Sequence, residues 1–228
     1  MKVSKFIFSL AITLLPLPVL AACTFPTSQF IEEMQVPSRI LRLDIRVNKS
    51  KKWATNLLQI VASTEKNINK KFKREFKAEV AVVYDFGTCK LEAKVRQSGD
   101  WKDHVSTNGW GQAFNSLDID LKTGNILNAV SFKLLVPATR KNEKEILTTT
   151  ILRRLGFLAP ETFSVKASVN NIVASYIFQE NPEKEMLERN RRREGPLYEG
   201  DESILWNYRD FQTLALSNLS LARLLNKK

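Results

Sequence analysis

VSFKLLVPATRKNEKEILTTTILRRLGFLAPETFSVKASVNNIVASYIFQE, residues 130–180, is the stretch on which the fold turns. Val130 to Val136 reads as a strand, ended by Pro137, which cannot donate to a ladder. Asn142 with Glu145 three residues on makes a capping-box-like pair. Leu147, Ile151 and Leu155 then recur at i, i+4 and i+8, and Gly156 stops the helix at its C′ position. Thr162–Val169 and Ile172–Glu180 flank Asn170-Asn171, a two-residue turn that predicts a hairpin. The order is therefore strand, helix, hairpin.

Downstream, Pro182 opens a polar helix, PEKEMLERNRRRE, at its favoured first-turn position. After Gly195-Pro196 the tail from Ser203 to Leu225 reads as mostly helical. Upstream, Ile40–Ile45 ends in strand-like alternation. Residues 50–73 lack Gly and Pro and place Trp53, Leu57, Ile60 and Val61 at helical spacing, which predicts one helix fading near Lys73. Ala78–Tyr84 and Cys89–Arg96 are β-rich, and Asp85-Phe86-Gly87-Thr88 joins them as a hairpin turn with Gly87 at positive φ. Gln97–Asn115 is rich in Gly, Asn and Ser and predicts a loop, followed by a strand at Ser116–Leu121. Asp85-Phe86-Gly87 matches the kinase metal-binding triplet letter for letter, but it precedes every element that a kinase places before it.

The chain has 228 residues, 43 % hydrophobic and 26 % charged, the composition of an ordinary folded domain. Its first residues carry Lys2 and Lys5, an apolar run from Phe6 to Leu20 and a small-residue exit, the pattern of a bacterial export signal over 1–22. Leu20-Ala21-Ala22-Cys23 is similar to a lipobox, in which Cys23 carries a covalent lipid and anchors the chain to a membrane. The alternative is ordinary cleavage after Ala21 or Ala22, leaving Cys23 to pair with Cys89 in an oxidising compartment. The two fates exclude each other, and the position of the cysteine favours the lipid. Thr24 lacks an acidic inner-membrane retention signal, which points to the outer membrane if the organism has one. A tether over 23–38, one domain over 39–202 and a helical tail over 203–228 complete the expected organisation.

The net charge is +11, concentrated at Lys66–Lys77 and Arg189–Arg193, both read as helix faces or ends. Such a chain can face anionic headgroups or acidic polymers. Nucleic acid is not expected, because stacking aromatics do not interleave with the charge.

Three segments carry a resemblance: KVRQSGDWKDHV (94–105), residues 131–171 of the stretch above, and YIFQENPEKEMLERNRRREGPLYEGDE (176–202). Together they resemble the amino-terminal part of the CotH family of atypical kinases, over about half the chain. Asn170-Asn171 stands where relatives commonly have Asn-Gly. The resemblance implies an α+β fold, an antiparallel sheet with packed helices like a protein-kinase N-lobe, with helical additions at both ends. It also implies an ATP- and Mg2+-dependent phosphotransferase acting on a protein substrate. Lys133 and Glu145 are the positional candidates for the strand lysine and helix glutamate that hold the α/β-phosphates. Lys133 alternates with Phe132 and Leu134, which equally describes a solvated strand lysine, and Glu145 already has a part in the capping box. Gly99 and Asp100 sit in a loop that can cover phosphates, without a Gly-x-Gly-x-x-Gly spacing. Arg140 fits a phosphate or a carboxylate. His104, the only histidine, fits a local loop hydrogen bond better than a catalytic base.

Beyond the hinge-like Gln179-Glu180 the remaining residues hold no catalytic loop and no pair of magnesium carboxylates. Phosphoryl transfer needs both, so the chain is not expected to be a competent kinase alone. Three readings stay open: a truncated CotH-like enzyme, a complete lipid-anchored binding module for a protein or acidic polymer, and half of a split kinase completed by a second lobe in trans. Trp206, Tyr208 and Phe211 in the tail are candidates to cover an exposed apolar surface.

Overall fold

The computed structural model describes residues 22–24, 39–195 and 197. The export signal up to residue 21, the tether beyond Thr24 and the tail 203–228 lie outside the described residues. In chain order the elements are β1 (Ala22–Thr24), β2 (Ile40–Val47), α1 (Ser50–Ala62), a 3-10 turn at Lys70–Phe72, β3 (Phe76–Tyr84) and β4 (Thr88–Gln97). A turn at Lys102–His104, β5 (Val105–Thr107), β6 (Ala113–Asn115), β7 (Leu117–Leu121) and β8 (Ser131–Leu135) follow. The series closes with a turn at Pro137–Arg140, α2 (Lys144–Arg154), β9 (Thr162–Val169), β10 (Ile172–Glu180) and α3 (Lys184–Arg189).

The strands close on themselves. Neighbours run β4, β3, β2, β9, β10, β8, β7, and β7 returns to pair with β4, giving a seven-stranded barrel. This corrects the expected α+β arrangement of an antiparallel sheet with packed helices. The physical reason is the ten-residue length of β4, which offers two edges. Thr88–Val95 pair with β3 on one side, while on the other Ala93–Gln97 take β7 and Thr88–Lys90 take β1. Closure satisfies the backbone groups that an edge strand would leave unpaired.

All barrel pairs are antiparallel except β2 with β9. Asn170 fastens that exception: its Oδ1 accepts from Val47 N at 2.8 Å, and its own N–H donates to the Ile45 carbonyl at 2.9 Å. Asn170 and Asn171 both take positive φ, 47° and 71°, as the predicted turn requires. Gly87, by contrast, is not among the positive-φ glycines; the β3–β4 turn is closed by Tyr84 N–H on the Gly87 carbonyl at 2.8 Å.

Inward residues alternate with outward ones along every strand. Leu43, Val80, Val95, Ile119, Leu134 and Tyr176 are among those that fill the interior, with Phe132, Phe178 and Phe163 stacked at 4.6 Å between successive centroids. Alanines at 78, 93, 167 and 174 give these rings room, so the barrel holds side chains and not a lumen. The outer wall carries charge, including the pairs Arg42–Asp44, Lys94–Glu75 and Arg96–Asp118. That is the pattern of a wall facing water and the reverse of a lipid-facing barrel. No described helix is long and apolar enough to cross a membrane.

The predicted helix over 50–73 ends at Ala62. Beyond it, Asn67 bridges Trp101, Ile68 N–H donates to Asp100 O at 2.8 Å, and Lys102 N–H donates to Lys66 O at 3.0 Å. Those bonds need extended backbone, and they bury Ile68. α1 buries Trp53, Leu57 and Ile60 at one mouth of the barrel, with Trp53 edge-on to Phe76 at 5.3 Å, while Val61 is left outside. The predicted loop 97–115 contains the β5–β6 hairpin, whose Phe114 meets Tyr176 edge-on at 5.4 Å.

α2 departs furthest from expectation. Asn142 is left-handed with φ 59°, and the helix starts at Lys144 without a side-chain cap, so the capping box does not form. Glu145, Thr149 and Arg153, four residues apart, with the half-buried Ile146 and Leu152 beside them, form the face that meets the barrel. Glu145 accepts from Gln179 Nε2 at 2.6 Å, Thr149 is buried, and Arg153 pairs with Glu161. Leu147, Ile151 and Leu155 therefore point away, 47–67 % exposed.

Candidate functional site

Each sequence-predicted residue has a definite place. Gly99, Asp100, His104 and Arg140 gather at the mouth that α1 covers. Gly99 takes φ +93° against the His104 ring; a Cβ there would lie 2.1 Å from His104 Cγ. Its freedom makes room for the imidazole, with no phosphate needed to explain it. His104 Nδ1 lies 2.9 Å from Ser116 Oγ, which also accepts from Val136 N–H at 2.9 Å. Ser116 is fully buried, so the pair ties the mouth together and offers no nucleophile to solvent. Burial holds the His104 pKa below its ordinary value, Arg140 and Lys73 push the same way, and Asp103 and Asp100 oppose them.

Asp100 is paired with Lys73, whose hydrogen bond holds the carboxyl below its usual range, helped by His104 and Lys133. Arg140 keeps its Nε buried without a hydrogen-bond partner. Lys133 stands on the outer wall, between Asp118 on β7 and Gln179 on β10 in register. Gln179 takes the Glu145 carboxylate, and among the described residues no ion pair joins Lys133 to Glu145. The two are brought to the same flank but not to each other.

The hinge-like Gln179-Glu180 is the end of a barrel strand. Glu180 is 2 % exposed and accepts from Arg189 Nη2 at 2.6 Å and from Glu161 N–H at 3.0 Å. Arg189 belongs to α3, which buries Met186 and Leu187, so the chain just past Glu180 folds back onto the barrel. Nearby, burial together with Glu185, Asp120 and Asp118 raises the Glu183 pKa, against a hydrogen bond from Ser131.

Cys23 faces Cys89 across β1 and β4 and is joined to it by a disulfide. A thioether sulfur cannot enter a disulfide, so this bond and a covalent lipid at Cys23 are alternative fates of the same sulfur. Among the described residues no three His, Cys, Asp or Glu side chains are gathered as metal ligands would be.

Sequence reasoning missed a groove. Between the end of α1 and the Lys70–Phe72 turn lies a cleft of about 660 Å³, lined by Gln59, Ser63, Glu65, Lys71, Phe72 and Arg74. A second, of about 400 Å³, adjoins it at Glu65 and is lined by Lys66, Trp101, Lys102 and Asp103. Lys71 Nζ sits 4.9 Å from the Phe72 centroid and the Arg74 guanidinium 5.3 Å from that of Phe76, which holds both cations in place. The signal was in the letters: KKFKREFK interleaves cations with phenylalanines. Phe76 is buried, however, and both rings serve their own cations. Trp101, 55 % exposed, is the aromatic that solvent reaches in this groove.

No protein-family model matches this chain, and a search of the curated proteins finds none similar to it.

Proposed function

We propose that this chain is an exported binding module, a closed barrel that holds an acidic polysaccharide of the cell envelope in the groove at its capped mouth. The observation that supports it most is the crossover from β2 to β3. Residues 48–77 carry nine Lys and Arg against Glu65 and Glu75, and three of them, Lys66, Lys71 and Arg74, line the two adjoining clefts together with Lys102. Lys66, Lys71, Arg74 and Lys102 meet carboxylate, phosphate or sulfate groups spaced along a polymer, and the exposed indole of Trp101 offers an apolar face to sugar rings. The export-signal pattern and the Cys23–Cys89 disulfide support an oxidising compartment for this binding.

The test is retention on an immobilised acidic polysaccharide such as polygalacturonate, with a salt gradient. The native chain is retained and elutes with salt. Lys71→Glu with Arg74→Glu weakens binding by about tenfold or more, on the scale of a few charge contacts, and Trp101→Ala weakens it without changing the salt dependence. Equal retention of the double variant would overturn the reading. So would equal retention of the native chain on a neutral glucan.

A further inference from the structure

The second surface that calls for an occupant is the outer face of α2. Leu147, Ile151 and Leu155 run along it, and Phe157 and Leu158 continue it past the Gly156 stop; all five are between 41 % and 67 % exposed. Single exposed apolar residues are ordinary, but five in one stripe along one helix and its exit are not. The helix sits as a middle layer does, with Ile146, Thr149 and Leu152 turned to the barrel and a second apolar surface above.

We infer that this stripe is covered by the chain's own tail, residues 203–225, laid along α2 as a second helix. Three observations single out that occupant. The first is where the described chain ends. Arg189 of α3 holds Glu180, Glu180 also holds the Glu161 N–H, and Glu161 pairs with Arg153 on the last turn of α2. The chain thus leaves α3 a few side-chain contacts from the C-terminal end of the stripe.

The second is reach. Residues 190–202 include Gly195, Pro196 and Gly200 and span up to about 40 Å when extended. That is more than enough to reverse direction. The tail from Ser203 to Leu225 is about 35 Å long as a helix, against about 16 Å for α2, so it also reaches Phe157 and Leu158.

The third is pattern. Ile204, Tyr208, Phe211 and Ala215 fall at spacings of four, three and four, and Ala222 and Leu225 resume the same stripe. One face of such a helix is apolar throughout, with Asn218 its single polar break. A stripe of that kind packs on the stripe of α2 as paired helices do.

The test uses the full chain. A benzophenone side chain in place of Leu155 is irradiated, and the cross-links are mapped by mass spectrometry. Cross-links to residues 203–225 at the mass of one chain are expected. Cross-links at twice the mass, which would mean a second copy on the stripe, overturn the inference, as does the absence of any to the tail. Independently, Phe211→Glu with Leu214→Glu in the full chain should raise amide exchange in α2 at least tenfold and leave β2, β3 and β4 unchanged. Unchanged exchange in α2 would also overturn it. Neither readout involves the basic groove, so its outcome is separate from that of polysaccharide binding.

Discussion

α1 and α2 are both connections between barrel strands, and both carry apolar residues at helical spacing, yet they present those residues in opposite directions. α1 turns Trp53, Leu57 and Ile60 into the mouth. α2 turns Leu147, Ile151 and Leu155 to the outside and seats Glu145, Thr149 and Arg153 on the wall. The difference comes from what each helix meets. At the mouth, the ends of the inward-facing rows are apolar, and Phe76 receives the Trp53 ring. On the flank, α2 meets the outward row of the barrel, where Gln179 and the nearby Glu161 take Glu145 and Arg153, and Leu135 and Ile177 in the same row are buried. A stripe tells that a helix has two faces; the partner decides which one is inside.

The sharpest way to break the comparison is to shorten one side chain on each helix. Trp53→Ala leaves a cavity beneath α1 and should cost about 3–5 kcal/mol in urea unfolding. Leu147→Ala, at the first turn of the outward stripe, should cost less, about 2 kcal/mol, the low end for a leucine covered only by the tail. Equal losses would mean that α2 is packed as α1 is. A smaller effect bears on the polar seat: Arg153→Ala removes a half-exposed ion pair with Glu161 and should cost about 1 kcal/mol. In hydrogen exchange, the loosening should appear at the last turn of α2 and spare α1.

The strands were largely legible, and for a physical reason: period-two alternation survives whatever the sheet does at its edges. β2, β3, β4, β7, β8, β9 and β10 all lie where the alternation put them, and Asn170-Asn171 makes the turn it predicts. Closure was not legible, because it depends on β7 finding the free half of β4 across the 98–116 excursion, a long-range pairing with no local mark. The same limit explains the helix ends. Asn142 with Glu145 is a sound capping box by spacing, but Gln179, thirty-four positions away from Glu145, takes that carboxylate instead. Of the candidate site, Gly99, Asp100 and His104 were named in one loop and Arg140 separately, and the local hydrogen bond expected of His104 is the one it makes with Ser116. The groove was missed because the break at Ser63 that opens it is imposed by backbone bonds to residues 100–102.

The mouth under α1 differs from the flank under α2 in one further respect, which pH can expose. The flank buries its polar groups as partnered charges, whereas the mouth buries His104 in its neutral form, because desolvation outweighs the pull of Asp103 and Asp100. A histidine whose folded pKa is depressed binds fewer protons in the folded chain than in the unfolded one. Its contribution to stability is therefore complete above the unfolded value of 6.5 and is lost as the pH falls through 6.5 toward the folded pKa. Glu75 and Asp100, both held low by lysine partners, act with the same sign but at more acid pH, and Glu183, held high, acts with the opposite sign there. Between about pH 7.5 and 5.5 the histidine term therefore stands nearly alone, and the urea midpoint of the native chain should fall over that interval. His104→Gln keeps a hydrogen-bonding group near Ser116 and cannot titrate. Whatever its absolute stability, its midpoint should stay level across the same interval. A midpoint that still falls across the interval in the variant would mean that another group takes up the proton, and the buried imidazole at the mouth under α1 would then have no part in it.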